Sequence, residues 1–199
     1  NNYNCEKIDK KKEINLEKLL QQYYKEIDLN LKKKYDRSLP FQDAVFDRWE
    51  RAKILNFGDG SSIYNSSMVF GDIKVGKNTW IGPNTMLDGS GGGIKIGDFC
   101  SISTGVQIYT HDTVLWSLSG GHLPLKNKSV TIGNNNYIGS QSIINLGVEI
   151  GNSCVIAANS FVNCNMPNRS IFAGTPAKKI GEVIGDKENI TLKYYRKKE

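Results

Sequence analysis

Residues 132–162 read IGNNNYIGSQSIINLGVEIGNSCVIAANSFV, and within them Ile132, Ile138, Ile144, Ile150, Ile156 and Val162 recur at a strict spacing of six. A helix returns an apolar residue every three or four positions and a half-buried strand every two, so neither explains a bulky aliphatic at every sixth. A short strand, a corner and a repeat do. The residue after each aliphatic is small or polar (Gly133, Gly139, Asn145, Gly151, Ala157, Asn163), as a tight corner demands. The pattern predicts a parallel β-helix in which each unit is one side of a coil and its aliphatic joins a continuous core.

The same phase extends upstream. Ile63, Val69, Val75, Ile81 and Leu87 keep it, and Ile96, Ile102 and Ile108 resume it after the insertion Gly-Ser-Gly-Gly-Gly at residues 89–93. At three sides per turn, these fourteen sides make four to five triangular coils. Ahead of them, Leu16, Leu19, Leu20, Tyr23, Tyr24, Ile27 and Leu31 sit at helical spacing, and a second helix is expected from near Ser38 and Pro40 to the stop signal Asn56-Phe57-Gly58. The domain organisation expected is therefore a helical extension over residues 1–58 capping the first coil, a β-helix over 59–181 with an excursion loop at 109–131, and a basic tail over 182–199. The fold class is mainly β.

A 199-residue chain with 39% hydrophobic residues suffices for one cored domain with appendages. The net charge of +6 comes from lysines crowded at the two ends (Lys10–Lys12, Lys32–Lys34, Lys193, Arg196, Lys197, Lys198), which read either as solvated faces or as an attraction for anionic ligands. No recognition motif accompanies the charge, so nucleic acid is not expected as a partner. Cys5, Cys100, Cys154 and Cys164 show no metal-ligand or disulfide spacing, and Cys100 and Cys154 fall where neighbouring repeats place Thr79, Thr85, Val106 and Ser160. No apolar run reaches membrane-spanning length, so the protein is expected to be cytoplasmic.

Between Ile108 and Ile132 the period breaks for YTHDTVLWSLSGGHLPLKNKSV, which contains both histidines of the chain, His111 and His122. Excursions from a solenoid carry function, because the stack itself is committed to packing. The repeats, this histidine loop and the ending AGTPAKKI at residues 173–180 together resemble the hexapeptide-repeat acyltransferases, and within them the sugar O-acetyltransferases of the maltose and galactoside type. The resemblance spans residues 60–181. It implies a left-handed parallel β-helix, acetyl-coenzyme A as co-substrate, no metal, and a homotrimer whose sites join one chain's histidine loop to the next chain's coil edge.

By this resemblance His111 is the general base that takes the acceptor's hydroxyl proton, a task imidazole performs for about 10² to 10⁴ in rate. Asn84 matches the asparagine that holds the acceptor hydroxyl, against the alternative of a corner asparagine set by turn geometry. Ser140 matches the residue whose backbone N–H faces the thioester oxygen, worth about 3 kcal/mol to the oxyanion. Ala158, with Gly139 and Ala157, matches the border of the pantetheine arm, and Lys178 and Lys179 match basic residues near the coenzyme phosphates. Asn163 stands with Cys164 where the family often has Thr-Lys, a departure at one coenzyme contact. Asp88 and Trp116 are expected to grip sugar hydroxyls and to stack on a ring, against a corner turn and a hydrophobic lid. His122 touches acceptor or nothing. No carboxylate is assigned to orient His111, since Asp112 is adjacent to it in sequence.

The function expected is acetyl-coenzyme A dependent O-acetylation of a free, nucleotide-linked or lipid-linked sugar for surface polysaccharide, by direct transfer in a ternary complex. Alternatives keep the chemistry and change the acceptor to an amino sugar or an antibiotic hydroxyl, or drop catalysis for a binding or assembly role. A zinc-dependent carbonic anhydrase of the same fold would, by resemblance, need three zinc-binding histidines shared across a trimer interface, whereas this chain has two histidines in one loop and no His-x-x-x-x-His pair.

Overall fold

The structure, a computed structural model, describes residues 10–195, with side chains from residue 15 onward. Cys5, the side chains of Lys10–Lys12, and Arg196, Lys197 and Lys198 therefore lie outside the described residues. The chain divides into two compact units between Asp47 and Arg48.

In the first unit, helix α1 (Lys10–Tyr35) is followed by the short helix α2 (Phe41–Val45), which Pro40 precedes. Tyr24 joins them: its hydroxyl donates to Leu39 O at 2.6 Å and its ring lies tilted on Phe41 at 5.8 Å. The single second helix expected from sequence is two. Phe46 turns extended (φ −104°, ψ 134°), and a separate helix α3 (Arg48–Ile54) opens the second unit. Its stop falls where the sequence signals it. Asn56 is left-handed (φ 56°), Phe57 N–H donates to Ala52 O at 2.9 Å and Asn56 N–H to Lys53 O at 2.9 Å, a Schellman ending with asparagine in the left-handed position.

From Ser62 the second unit coils. Its parallel strands stack in three faces. The first holds Ser62–Ile63, Trp80–Ile81, Ser101–Ile102, Tyr137–Ile138 and Val155–Ile156, paired in register from Ile63 to Ile156. On the second, Val69, Leu87, Ile108, Ile144 and Val162 stand in register. On the third, Val75, Ile96, Ile132 and Ile150 do so. Thirteen of the fourteen predicted aliphatics are buried, and the remaining one, Val69, is partly buried against them. A register this regular follows from the period: the aliphatic of each coil side recurs at the same inward step, so each coil lays its aliphatic on the one below.

Beyond Val162 the coil continues at irregular spacing. Met166 bridges Ile150 on the third face, and Phe172 pairs with Ile156 on the first. Residues Lys178–Ile184 and Thr191–Tyr194 then add two antiparallel strands to the first face. At the opposite end α3 seals the column. Ala52 and Phe57 are buried in the core, and the Arg51 guanidinium donates to Tyr64 O and, at 2.8 Å, to Ser67 O.

The three corners are built differently. At the corner from third to first face, a side-chain oxygen one coil on accepts each amide: Lys77 N–H to Asp98 Oδ1, Asp98 to Asn134, Asn134 to Asn152, and Asn152 to Asn168, all at 2.7–2.8 Å. At the corner from first to second face, Asn84, Gly105, Gln141 and Asn159 are left-handed (φ 56–70°). There the amides of Thr104, Ser140 and Ala158, one residue earlier, meet no acceptor among the described residues. Cys100 and Cys154 are buried inside corners as free thiols, and burial pushes the Cys100 thiol up.

Candidate active site

His111 leaves the corner from second to third face on a two-stranded ribbon. His111–Asp112 pairs antiparallel with Lys126–Asn127, and the ribbon carries helix α4 (Val114–Leu118) at its far end. Period-two alternation sends Asp112 to the opposite side from His111, and its Oδ1 accepts from Val114 N–H at 3.2 Å. Asp112 thus shapes the ribbon rather than orienting His111.

The carboxylate beside His111 is Asp88, one coil below: its Oδ2 stands 3.7 Å from Nδ1, with both side chains mostly shielded. Tertiary stacking explains the approach, because Asp88 pairs with Tyr109 across the second face. Thr110 locks the junction. Its N–H and hydroxyl both donate to Asp88 O, at 3.1 and 2.8 Å, and its oxygen accepts from Gly91 N–H at 2.9 Å. Gly91 has no room for a side chain, since a Cβ there would lie 2.4 Å from Thr110 O and 2.6 Å from His111 Cβ. Ser90 Oγ completes the cluster, donating to Asp88 Oδ1 and standing 3.4 Å from His111 Nδ1. The glycine-rich insertion, a mere interruption of the period in sequence, is thus the floor on which His111 rests. Ser90, Gly91 and Thr110 carry no signal of their own in sequence. The break in period one coil before the excursion is what could have pointed to them.

The other expected residues fall in two further places. Asn84, Gly139, Ser140, Ala157 and Ala158 line the corner from first to second face, so one chain does not bring them to its own His111. Asn84 is exposed there, in the left-handed position that turn geometry favours, with its N–H donating to Ser66 Oγ at 3.2 Å. Gly139 is buried, and a Cβ on it would strike Ala158 N at 2.5 Å. At about 4.8 Å per coil, the column from Asn84 through Ser140 and Ala158 to Thr175 spans about 19 Å. Thr175 Oγ1 donates to Asn159 O at 3.2 Å, which sets the Thr175-Pro176-Ala177 turn at the end of the column with Lys178 just beyond. Asn163, by contrast, lies exposed at the next corner, after Val162.

Lys178 and Lys179 diverge in use. Lys179 Nζ pairs with Glu182 at 2.7 Å and lies over the Tyr195 ring at 5.8 Å. Glu182 and then Tyr195 hold its ammonium above the usual range, and Lys179 and then Tyr195 hold the Glu182 carboxyl below its own. Lys178 is exposed, with no such partner among the described residues. Trp116 lies on α4, half exposed, with Val114, Leu115 and Leu118 beside it, and His122 is exposed in the following turn. Among the described residues no cluster of three or more His, Cys, Asp or Glu is placed to hold a metal ion, and no helix is long and apolar enough to cross a membrane.

Comparison with known proteins gives this arrangement its class. Residues 72–110 and 129–164 match the family described as hexapeptide repeat of succinyl-transferase. The chain is 30% identical to galactoside O-acetyltransferase of Escherichia coli strain K12, over 61% of this chain and 70% of that one. It is 42% identical to Protein CapG of Staphylococcus aureus over 45% of this chain, and spans about half (53%) of CapG's length. Among solved structures, a hexapeptide-repeat acetyltransferase of Vibrio cholerae in complex with acetyl coenzyme A superposes with TM-score 0.57 at 27% identity, covering 83% of this chain and 87% of that one. The N-acyltransferase AntD of Bacillus cereus, in complex with dTDP and 3-hydroxybutyryl-CoA, superposes with TM-score 0.56 at 27% identity, covering 62% and 70%. The chain belongs to the hexapeptide-repeat acyltransferase family, and its coil is the left-handed β-helix of that family.

Proposed function

We propose that the protein is an acetyl-coenzyme A dependent O-acetyltransferase acting on a sugar, with its active sites formed between copies of a homotrimer. The observation that carries this reading is the placement of two half-sites on one chain. His111 with Asp88 occupies one corner, and the column of Asn84 and the open amides of Ser140 and Ala158 occupies the other. These two corners flank the second face. Its outward side chains nearest the amide column, coil after coil, are the uncharged Met68, Met86, Gln107, Ile143 and Phe161, with Asp88 bringing charge at the histidine corner, whereas the third face shows Lys74, Lys95, Thr131 and Glu149. Three copies with second faces inward bring each histidine corner to a neighbour's amide column, and the apolar residues of α4 gain a surface to cover them.

In that arrangement Asn84 places the acceptor hydroxyl and His111 Nε2 takes its proton as the oxygen attacks the thioester carbon. Ser140 N–H stabilises the oxyanion. The C–S bond then breaks, and the imidazolium returns the proton to the leaving thiolate, giving free coenzyme A and an acetyl ester with no covalent enzyme intermediate. Ala158 borders the pantetheine arm, and Lys178 lies at the phosphate end of the column. Trp116, His122 and Lys179 are assigned peripheral contacts with acceptor or coenzyme, and Asn163 with coenzyme only. The name galactoside O-acetyltransferase supports a sugar acceptor, and the dTDP bound to AntD supports a nucleotide-linked one. AntD, an N-acyltransferase, favours a second reading, an amino sugar acylated at nitrogen.

Thiol release from acetyl-coenzyme A against a panel of sugars, amino sugars and nucleotide sugars tests this, with His111→Ala alongside and the mass measured by light scattering. A trimer whose turnover falls about a hundredfold or more in the variant is expected. Absence of both turnover and coenzyme binding overturns the enzyme in favour of a catalytically silent solenoid.

A further inference from the structure

At 3.7 Å, Asp88 Oδ2 and His111 Nδ1 are too far apart to hydrogen-bond directly. Ser90 Oγ reaches both. Its oxygen contacts Asp88 Oδ1, which also accepts from Ser90 N–H at 3.1 Å, and it stands 3.4 Å from Nδ1. An ionised carboxylate only accepts, so the Ser90 hydroxyl proton is committed to Asp88. What Ser90 turns toward the imidazole is a lone pair, and that contact is favourable only when Nδ1 carries the hydrogen. Catalytic hydrogen bonds are long in empty sites and tighten when substrate arrives, so 3.4 Å is compatible with the role.

We infer that Ser90 is a positioning residue that relays Asp88 to His111, fixing the Nδ1–H tautomer and leaving Nε2 bare as the proton acceptor. The insertion at residues 89–93 is then a functional device. It brings the Ser90 hydroxyl between Asp88 and His111, and Gly91, pressed against Thr110 and His111, admits the ribbon close enough to use it. This inference rests on the reading of His111 as base.

The test uses full-length protein with ¹⁵N-labelled histidine, in which only two imidazoles give signals because the chain has two histidines. His122→Gln assigns them. Above neutral pH, wild type is expected to show His111 with its hydrogen on Nδ1. Ser90→Ala should move it toward the Nε2–H form and lower kcat about tenfold or more, leaving KM for acetyl-coenzyme A unchanged, and Ser90→Thr should restore both. Hydrogen on Nε2 in wild type, or a Ser90→Ala variant unchanged in tautomer and kcat, overturns the relay. If His111→Ala is inactive while Ser90→Ala is silent, the relay alone fails; if His111→Ala is active, the base assignment fails with it.

Discussion

Ser140→Pro isolates a single backbone hydrogen. Ser140 N–H meets no acceptor among the described residues, so its loss breaks no bond described in the fold. Proline is already accommodated at this corner two coils below: Gly82-Pro83-Asn84 occupies the place of Gly139-Ser140-Gln141, and Asn84 and Gln141 share the left-handed conformation at φ 56° and 61°. The substituted coil can therefore adopt a backbone the protein already uses, and melting should shift little. If Ser140 N–H faces the oxyanion, its removal costs about 2.7–4 kcal/mol of transition-state stabilisation, or about 10²–10³ in kcat. Binding of coenzyme A, which lacks the acyl oxygen, should be unchanged by calorimetry. Ala158→Pro, one coil further, removes a donor assigned to pantetheine and should weaken coenzyme binding by about 0.5–1.5 kcal/mol with little effect on kcat. A Ser140→Pro enzyme that stays folded and keeps kcat within about threefold of wild type would refute the oxyanion role.

Gly91→Ala places a methyl against Thr110 O and His111 Cβ, so the ribbon must shift; thiol-release assays should show a fall in kcat of about tenfold or more while thermal unfolding moves by only a few degrees. Ile138→Ala, at a fully buried side of the fourth coil, should cost about 2–5 kcal/mol in denaturant unfolding, far more than the same change at the half-exposed Val114 on α4.

The six-residue period made the fold legible from sequence because a β-helix is a nearly one-dimensional stack. Each coil side meets only its neighbours, so a local spacing dictates a global register, and Ile63 through Val162 fell where the period placed them. The stop at Asn56 and the buried roles of Cys100 and Cys154 were legible for the same reason, each being set by residues within a turn or a coil. Where contacts are long in sequence but short in space, the period was silent. Met166 and Phe172 continue the core out of phase, and the final residues add antiparallel strands whose partners no spacing announces.

The site divides along the same line. The spacing and the resemblance were enough to single out the excursion that holds both histidines and the small residues that follow Ile81, Ile138 and Ile156. Only the tertiary structure decided that Asp88 and Ser90, each more than twenty positions before His111, stand beside its Nδ1. It also decided that Asn84 and Ser140 belong to a different corner from His111. The physical reason is that a coil returns the chain to the same place after one full turn. Residues eighteen or more apart become neighbours, and an insertion such as residues 89–93 alters which ones without disturbing the aliphatic rhythm on either side.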